Sequence, residues 1–146
     1  MSQLLPPGIA NHLPSTRRLR QAHLVMSRVL VLAVMGQLAL GIIALPVHRG
    51  FGLAIGLLSL ALALTAEEGG LSTSTVGLSV ALLLLVCLQG FLIAVQRYVA
   101  ASSIVHLVNG FVIFGLSLVV AIESEDEGKP DGAHIPYDGE PSSSSR

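Results

Sequence analysis

Polar and apolar positions along this chain fall into long blocks, not into short alternating runs. Four stretches carry no charged side chain: Val29 to Val47, Gly50 to Ala66, Val76 to Gln96 and Ile104 to Ile122. Each is close to the ~20 residues that a helix needs to cross a hydrocarbon core of about 30 Å. In a soluble protein such blocks would be core strands or buried helices, but four of them in 146 residues leave no polar shell to bury them. The pattern predicts an all-α fold, an integral membrane bundle of four helices running up and down, approximately over 22–46, 48–66, 75–97 and 103–122. The flanks 1–21 and 123–146 lack it. The first contains Pro6, Pro7 and Pro14, and the second is acidic and then serine-rich, so both are expected to be flexible tails. The links between the first and second helices, and between the third and fourth, are short enough to make two antiparallel hairpins. Pro46 is expected to end the first helix, and Ser102 or Ser103 to cap the fourth.

Composition sharpens this picture. The chain is 52% hydrophobic and 12% charged, with a mean hydropathy of +0.76, which belongs to lipid-embedded proteins. The net charge of −1 and the lack of a basic face beyond Arg17 to Arg20 give no nucleic acid partner. The single cysteine, Cys87, lies in the middle of the third block, which excludes a disulfide framework and a cysteine-based metal centre. The apolar run after Arg28 is longer than the core of a cleaved signal peptide, so the first block is read as a retained helix.

Charge also sets direction. With four spans, the N-tail, the loop from Glu67 to Thr75 and the C-tail share one side, which carries Arg17, Arg18, Arg20, Arg28, Lys129 and Arg146. The other side has Arg49 and Arg97. The bias of basic residues toward the cytoplasm predicts a multi-pass protein of the cell (plasma) membrane, with both termini cytoplasmic. Direction then assigns depth. Gln37 and Gln89 lie past the midpoints of outward-running helices; His48, Arg49, His106 and Asn109 lie near the starts of inward-running ones. All six fall in the outer half of the bilayer. The inner half offers mainly serines, which a helix can satisfy through its own backbone.

Polar side chains in hydrocarbon are costly and normally face the bundle or line a cavity. His48 and His106 are each followed four residues later by a glycine, Gly52 and Gly110, and i and i+4 share one helix face. Each imidazole is therefore expected above a notch that a neighbouring helix or a flat cofactor could fill. Gly56 extends the notch on the second helix, while Phe114 takes the equivalent place on the fourth. Two imidazoles at similar depth on two inward-running helices can supply the axial ligands of one b-type haem. Gln89 and Asn109 would stand beside them, and Arg49 and Arg97 at the rim could pair with its propionates. The bland alternative keeps the same residues as helix-packing devices: interhelical hydrogen bonds that fix register, and a GxxxG pair of Gly52 and Gly56 that joins a homodimer or a larger membrane complex. No acid–base pair or activated nucleophile is apparent within the spans, so the pattern gives no ground for an enzyme. His12, His23 and His134, in the tails or at the cytoplasmic edge, receive no role.

The run from Gln37 through His48-Arg49, then Leu88-Gln89-Gly90, then His106-Leu107 opening the last helix, resembles one four-helix half of haem A synthase. It also resembles small uncharacterised prokaryotic four-helix membrane proteins whose last helix opens with an HLVNG-type segment. The resemblance covers residues 25–122 and implies a haem held between His48 and His106. Departures limit what it carries over: that synthase has two such halves, an acidic residue implicated in its chemistry and often a cysteine pair outside the membrane. This chain has one half, no carboxylate in either outer loop and only Cys87. The resemblance thus implies a haem-binding scaffold rather than synthase catalysis.

Overall fold

The computed structural model describes residues 14–43, 45–96, 98–99 and 101–128. They form four helices: α1 (Pro14–Ile43), α2 (Leu45–Glu68), α3 (Thr73–Val95) and α4 (Ser102–Gly128). All four are long and apolar enough to cross a membrane. Each helix packs against its two neighbours in a closed ring, α1 on α2, α2 on α3, α3 on α4 and α4 on α1. Helices α1 and α3, and likewise α2 and α4, therefore face each other across the bundle axis. The hairpin end carries the α1–α2 and α3–α4 connections; the termini end carries the α2–α3 turn, the start of α1 and the end of α4. This is a multi-pass membrane bundle, and its outer surface of Leu32, Leu53, Leu84, Phe91 and Phe111 faces outward as lipid requires.

Inward positions repeat at steps of three and four, the spacing of a bundle seam. On α1 they are His23, Ser27, Leu30 and Val34; on α2, Ile55, Ser59, Leu62 and Ala66. On α3 they are Thr75, Ser79 and Leu82, and on α4 Asn109, Ile113, Ser117, Val120 and Ser124. The buried serines behave as expected from sequence. Ser59, Ser79 and Ser124 donate to the carbonyl four residues earlier, and Ser27 and Ser117 to the one three earlier. Small, self-satisfied side chains let the helices approach closely without leaving a polar group in hydrocarbon.

These positions also reveal an internal repeat. A constant offset of 52 (89 − 37) relates α1 to α3, pairing Ser27 with Ser79, Leu30 with Leu82, Val34 with Val86 and Gln37 with Gln89. An offset of 58 (106 − 48) relates α2 to α4, pairing His48 with His106, Gly52 with Gly110, Ile55 with Ile113 and Ser59 with Ser117. Every one of these pairs is an identity. The bundle is a pseudo-twofold assembly of two hairpins, the second with the longer connection.

Helix boundaries differ from the sequence expectation at both tails. Helix α1 starts at Pro14, not near residue 22, and α4 runs to Gly128 instead of ending at 122. The physical reason is that hydrocarbon thickness limits the apolar part of a helix, not the helix itself. The added turns are held by one another and by the α2–α3 turn. Arg20 donates from Nε to Gly69 O at 3.0 Å and from Nη2 to Gly70 O at 2.8 Å. Arg28 pairs with Glu125 at 2.7 Å. Glu127 accepts from the backbone N–H of Ser72 and the hydroxyl of Thr75, an acidic group at the positive start of α3. Residues 1–13 and 129–146, with the tails expected there, lie outside the described residues. At the hairpin end α2 begins at Leu45, so Pro46 falls in its first turn, where a missing N–H costs nothing. Ser102 opens α4, with its hydroxyl donating back to Val99 O, while Ser103 accepts from Gln96.

Candidate functional site

The hairpin end of the bundle opens into a cavity of about 840 Å³ lined by all four helices. That is within the range of about 300–1,000 Å³ typical of small-molecule and cofactor sites. Among its lining residues are Gln37 and Gly41 from α1, His48, Arg49, Gly52 and Gly56 from α2, Gln89 and Gly90 from α3, and His106 and Gly110 from α4. Below it, Val34, Ile55 and Ile113 form a floor that continues into the apolar core.

His48 and His106 come from diagonal helices and meet at the centre. Their ring centroids lie 6.2 Å apart with planes at 66°, an edge-on arrangement. The register that brings them together is the internal repeat, and so is the scaffold around each ring. Gln37 Nε2 donates to His48 O at 2.8 Å, and Gln89 Nε2 donates to His106 O at 3.0 Å. In each hairpin a glutamine of the first helix thus grips the backbone of the histidine on the second.

The glycine notches have an occupant that the sequence did not specify. A Cβ at Gly52 would come within 3.2 Å of Gln37 Nε2, and one at Gly110 within 3.5 Å of Gln89 Nε2. The glutamines fill the notches, tightly at Gly52 and at ordinary contact distance at Gly110. Gly52 thus faces Gln37 of α1, and Gly56 faces Val86 of α3.

The two half-sites differ in detail. His48 Nδ1 lies 3.0 Å from Gln37 O. A carbonyl only accepts, so Nδ1 carries the proton and Nε2 keeps its lone pair. In the other half, Gln89 is oriented by Asn109, whose Nδ2 donates to Gln89 Oε1 at 2.6 Å and to Leu85 O at 3.0 Å. Gln89 Nε2 then also stands 3.2 Å from His106 Nε2, which accepts, leaving His106 Nδ1 buried and without a partner among the described residues. The repeat places Phe51 where Asn109 stands. Gln37 Oε1, lacking that donor, is likewise buried and unpartnered.

Of the remaining expected residues, Arg49 is exposed at the cavity mouth, and Arg97 lies outside the described residues, as do His12 and His134. Cys87 is exposed on α3 rather than enclosed. The sequence reading missed His23, which is fully buried at the termini end. Its Nδ1 lies 3.1 Å from Leu62 O and 3.3 Å from Thr65 Oγ1, and its Nε2 has no partner among the described residues. The signal that finds it is periodic: His23 begins the inward series that continues through Ser27, Leu30 and Val34. No group of three or more metal-ligating side chains is present among the described residues. No protein-family model, curated protein or solved structure matches the chain.

Proposed function

We propose that this membrane bundle holds one b-type haem between His48 and His106, for electron transfer or haem handling near the outer face of the plasma membrane, with both chain termini cytoplasmic. The observation that carries the reading is the meeting of two imidazoles from diagonal helices at one depth inside a cofactor-sized cavity. His48 and His106 are the two side chains that would hold the iron, each through an imidazole nitrogen. His48 already has the tautomer a metal ligand needs, with its other nitrogen fixed by a carbonyl. On His106, the Nε2 lone pair that now accepts from Gln89 is the one a metal would take, and Nδ1 has no partner among the described residues. Arg49, exposed at the mouth, would pair with a propionate. Bound haem would supply a one-electron redox centre; His48 and His106 would hold it, Gln37 and Gln89 would orient them, and the apolar lining would limit its contact with water. The orientation rests on the excess of basic residues on the tail side, and the resemblance to one half of haem A synthase points to the same pair of histidines.

The test is a reduced-minus-oxidised spectrum with a pyridine haemochrome assay on protein purified in detergent from haem-replete cells. We expect a b-type spectrum that His48→Ala and His106→Ala each abolish or sharply shift, and that His23→Ala leaves in place. A colourless wild-type preparation would favour the second reading, in which the glutamine–histidine–asparagine hydrogen bonds serve only to lock helix register.

A further inference from the structure

The internal repeat relates the seam between α2 and α3 to the seam between α4 and α1, and the two are closed very differently. In the α4–α1 seam Phe114 packs against the core, and Leu38 reaches across so that its Cδ2 would lie 3.4 Å from a Cβ on Gly110. At the equivalent positions of the α2–α3 seam stand Gly56 and Gly90. A Cβ on Gly56 would meet only Val86 Cγ1, at 3.9 Å, and one on Gly90 would meet nothing within 4 Å. Two large side chains that plug one seam are thus absent from the other.

The cavity follows that difference. Its lining runs from the core residues past Gly56 and Gly90 onto Leu57, Leu60 and Cys87, whose side chains face outward. A cavity wall that includes both core-facing and outward-facing side chains of two adjacent helices is open between them. Since the surface in question belongs to the middle of two membrane spans, the opening gives onto hydrocarbon and not onto water. From His48 at the mouth to Leu60 the lining runs twelve helical steps along α2, or about 18 Å at 1.5 Å per residue, so the wall on this seam is long enough to admit a planar macrocycle edge-on.

We infer that the α2–α3 seam is a lateral door through which the ligand of the cavity enters from the lipid phase. The ligand it fits is planar and apolar along the edge that passes the glycines, with its polar groups carried at the opposite edge, where Arg49 marks the mouth. The inference takes its ligand from the haem reading, and haem has that distribution of polarity. Passage between two helices costs little where the seam is lined by glycine and aliphatic side chains, because no interhelical hydrogen bond has to break; the recorded side-chain bonds of the site join α1 to α2 and α3 to α4.

The experiment is hemin uptake by the protein reconstituted into liposomes, with hemin predissolved in the lipid, followed as growth of the Soret band. Gly56→Phe combined with Gly90→Leu copies the plugged seam onto the open one and is expected to slow uptake at least tenfold. A second arm covers the event that this variant does not fold: wild-type protein carrying a bulky maleimide on Cys87 is expected to load as slowly, while the same label on Leu84→Cys in a Cys87→Ala background, on the outward face away from the cavity, leaves the rate unchanged. Uptake by the plugged variant or the Cys87-labelled protein as fast as by unlabelled wild type overturns the door. Wild-type protein that takes up no hemin at all overturns the haem reading itself, and with it the ligand named here.

Discussion

At the scale of single residues, the site is organised by glutamine more than by histidine. Gln37 and Gln89 occupy matching notches, yet they carry different loads: Gln89 donates to His106 O, contacts His106 Nε2 and accepts from Asn109, whereas Gln37 donates to His48 O and keeps an unpartnered oxygen. Replacing each by methionine preserves volume and removes the amide. Gln89→Met is expected to destabilise the bundle by about 1 kcal/mol more than Gln37→Met, since it breaks more bonds and strands the Asn109 donor. Thermal unfolding of both variants in the same detergent measures the difference. That Gln37, His48, Gln89, His106 and Asn109 share one end of the bundle was legible in the chain, because the charge-free blocks and the alternation of helices fix which end a polar residue sits at. Their partners were not: which side chain fills a glycine notch depends on helix rotation, and that is set by packing across the whole seam. His23 escaped for a related reason, having been judged by its distance from the apolar block instead of by its place in the three-four series.

Among the elements, the turn joining α2 to α3 shows how the termini end is held. Gly70 sits at φ 60, the left-handed region that closes a helix. The bonds from Gly70 N to Glu67 O and from Leu71 N to Ala66 O complete the usual double cap. Arg20 reads the carbonyls of that same turn from α1. Gly70→Ala is expected to cost about 1 kcal/mol and to loosen the Arg20 clamp, raising the hydrogen-exchange rate of amides in the first turns of α1 and α3. Unaltered exchange there would mean that the clamp does not depend on the turn. The four helices and their hairpin pairing were legible in the charge-free blocks. Their ends were not, because polar side chains such as Arg20 and Glu127 continue a helix in water when another element supplies a partner, and no local pattern announces that partner.

For the molecule as a whole, the bundle requires the α2–α3 turn to lie on the opposite side of the membrane from Tyr98 and Val99. In a Cys87→Ala background, a membrane-impermeant thiol reagent added outside intact cells should label Tyr98→Cys and spare Ser72→Cys if the termini are cytoplasmic; the reverse pattern would invert the proposed orientation. The repeat that builds the whole has a glutamine leading to a histidine in each hairpin. Counting across the turns hid it, since the two connections differ in length, whereas comparing α1 with α3 and α2 with α4 separately brings identical residues into line. One feature of that architecture sets a boundary on what the protein can do. Leu30, Leu62, Leu82 and Val120 are almost wholly buried beneath the cavity floor, and the serines among them spend their hydroxyls on their own helices. The termini half is therefore an insulating stopper under a one-sided vessel. Whatever the cavity holds is separated from the termini end by this packed layer, so its traffic belongs to the hairpin end.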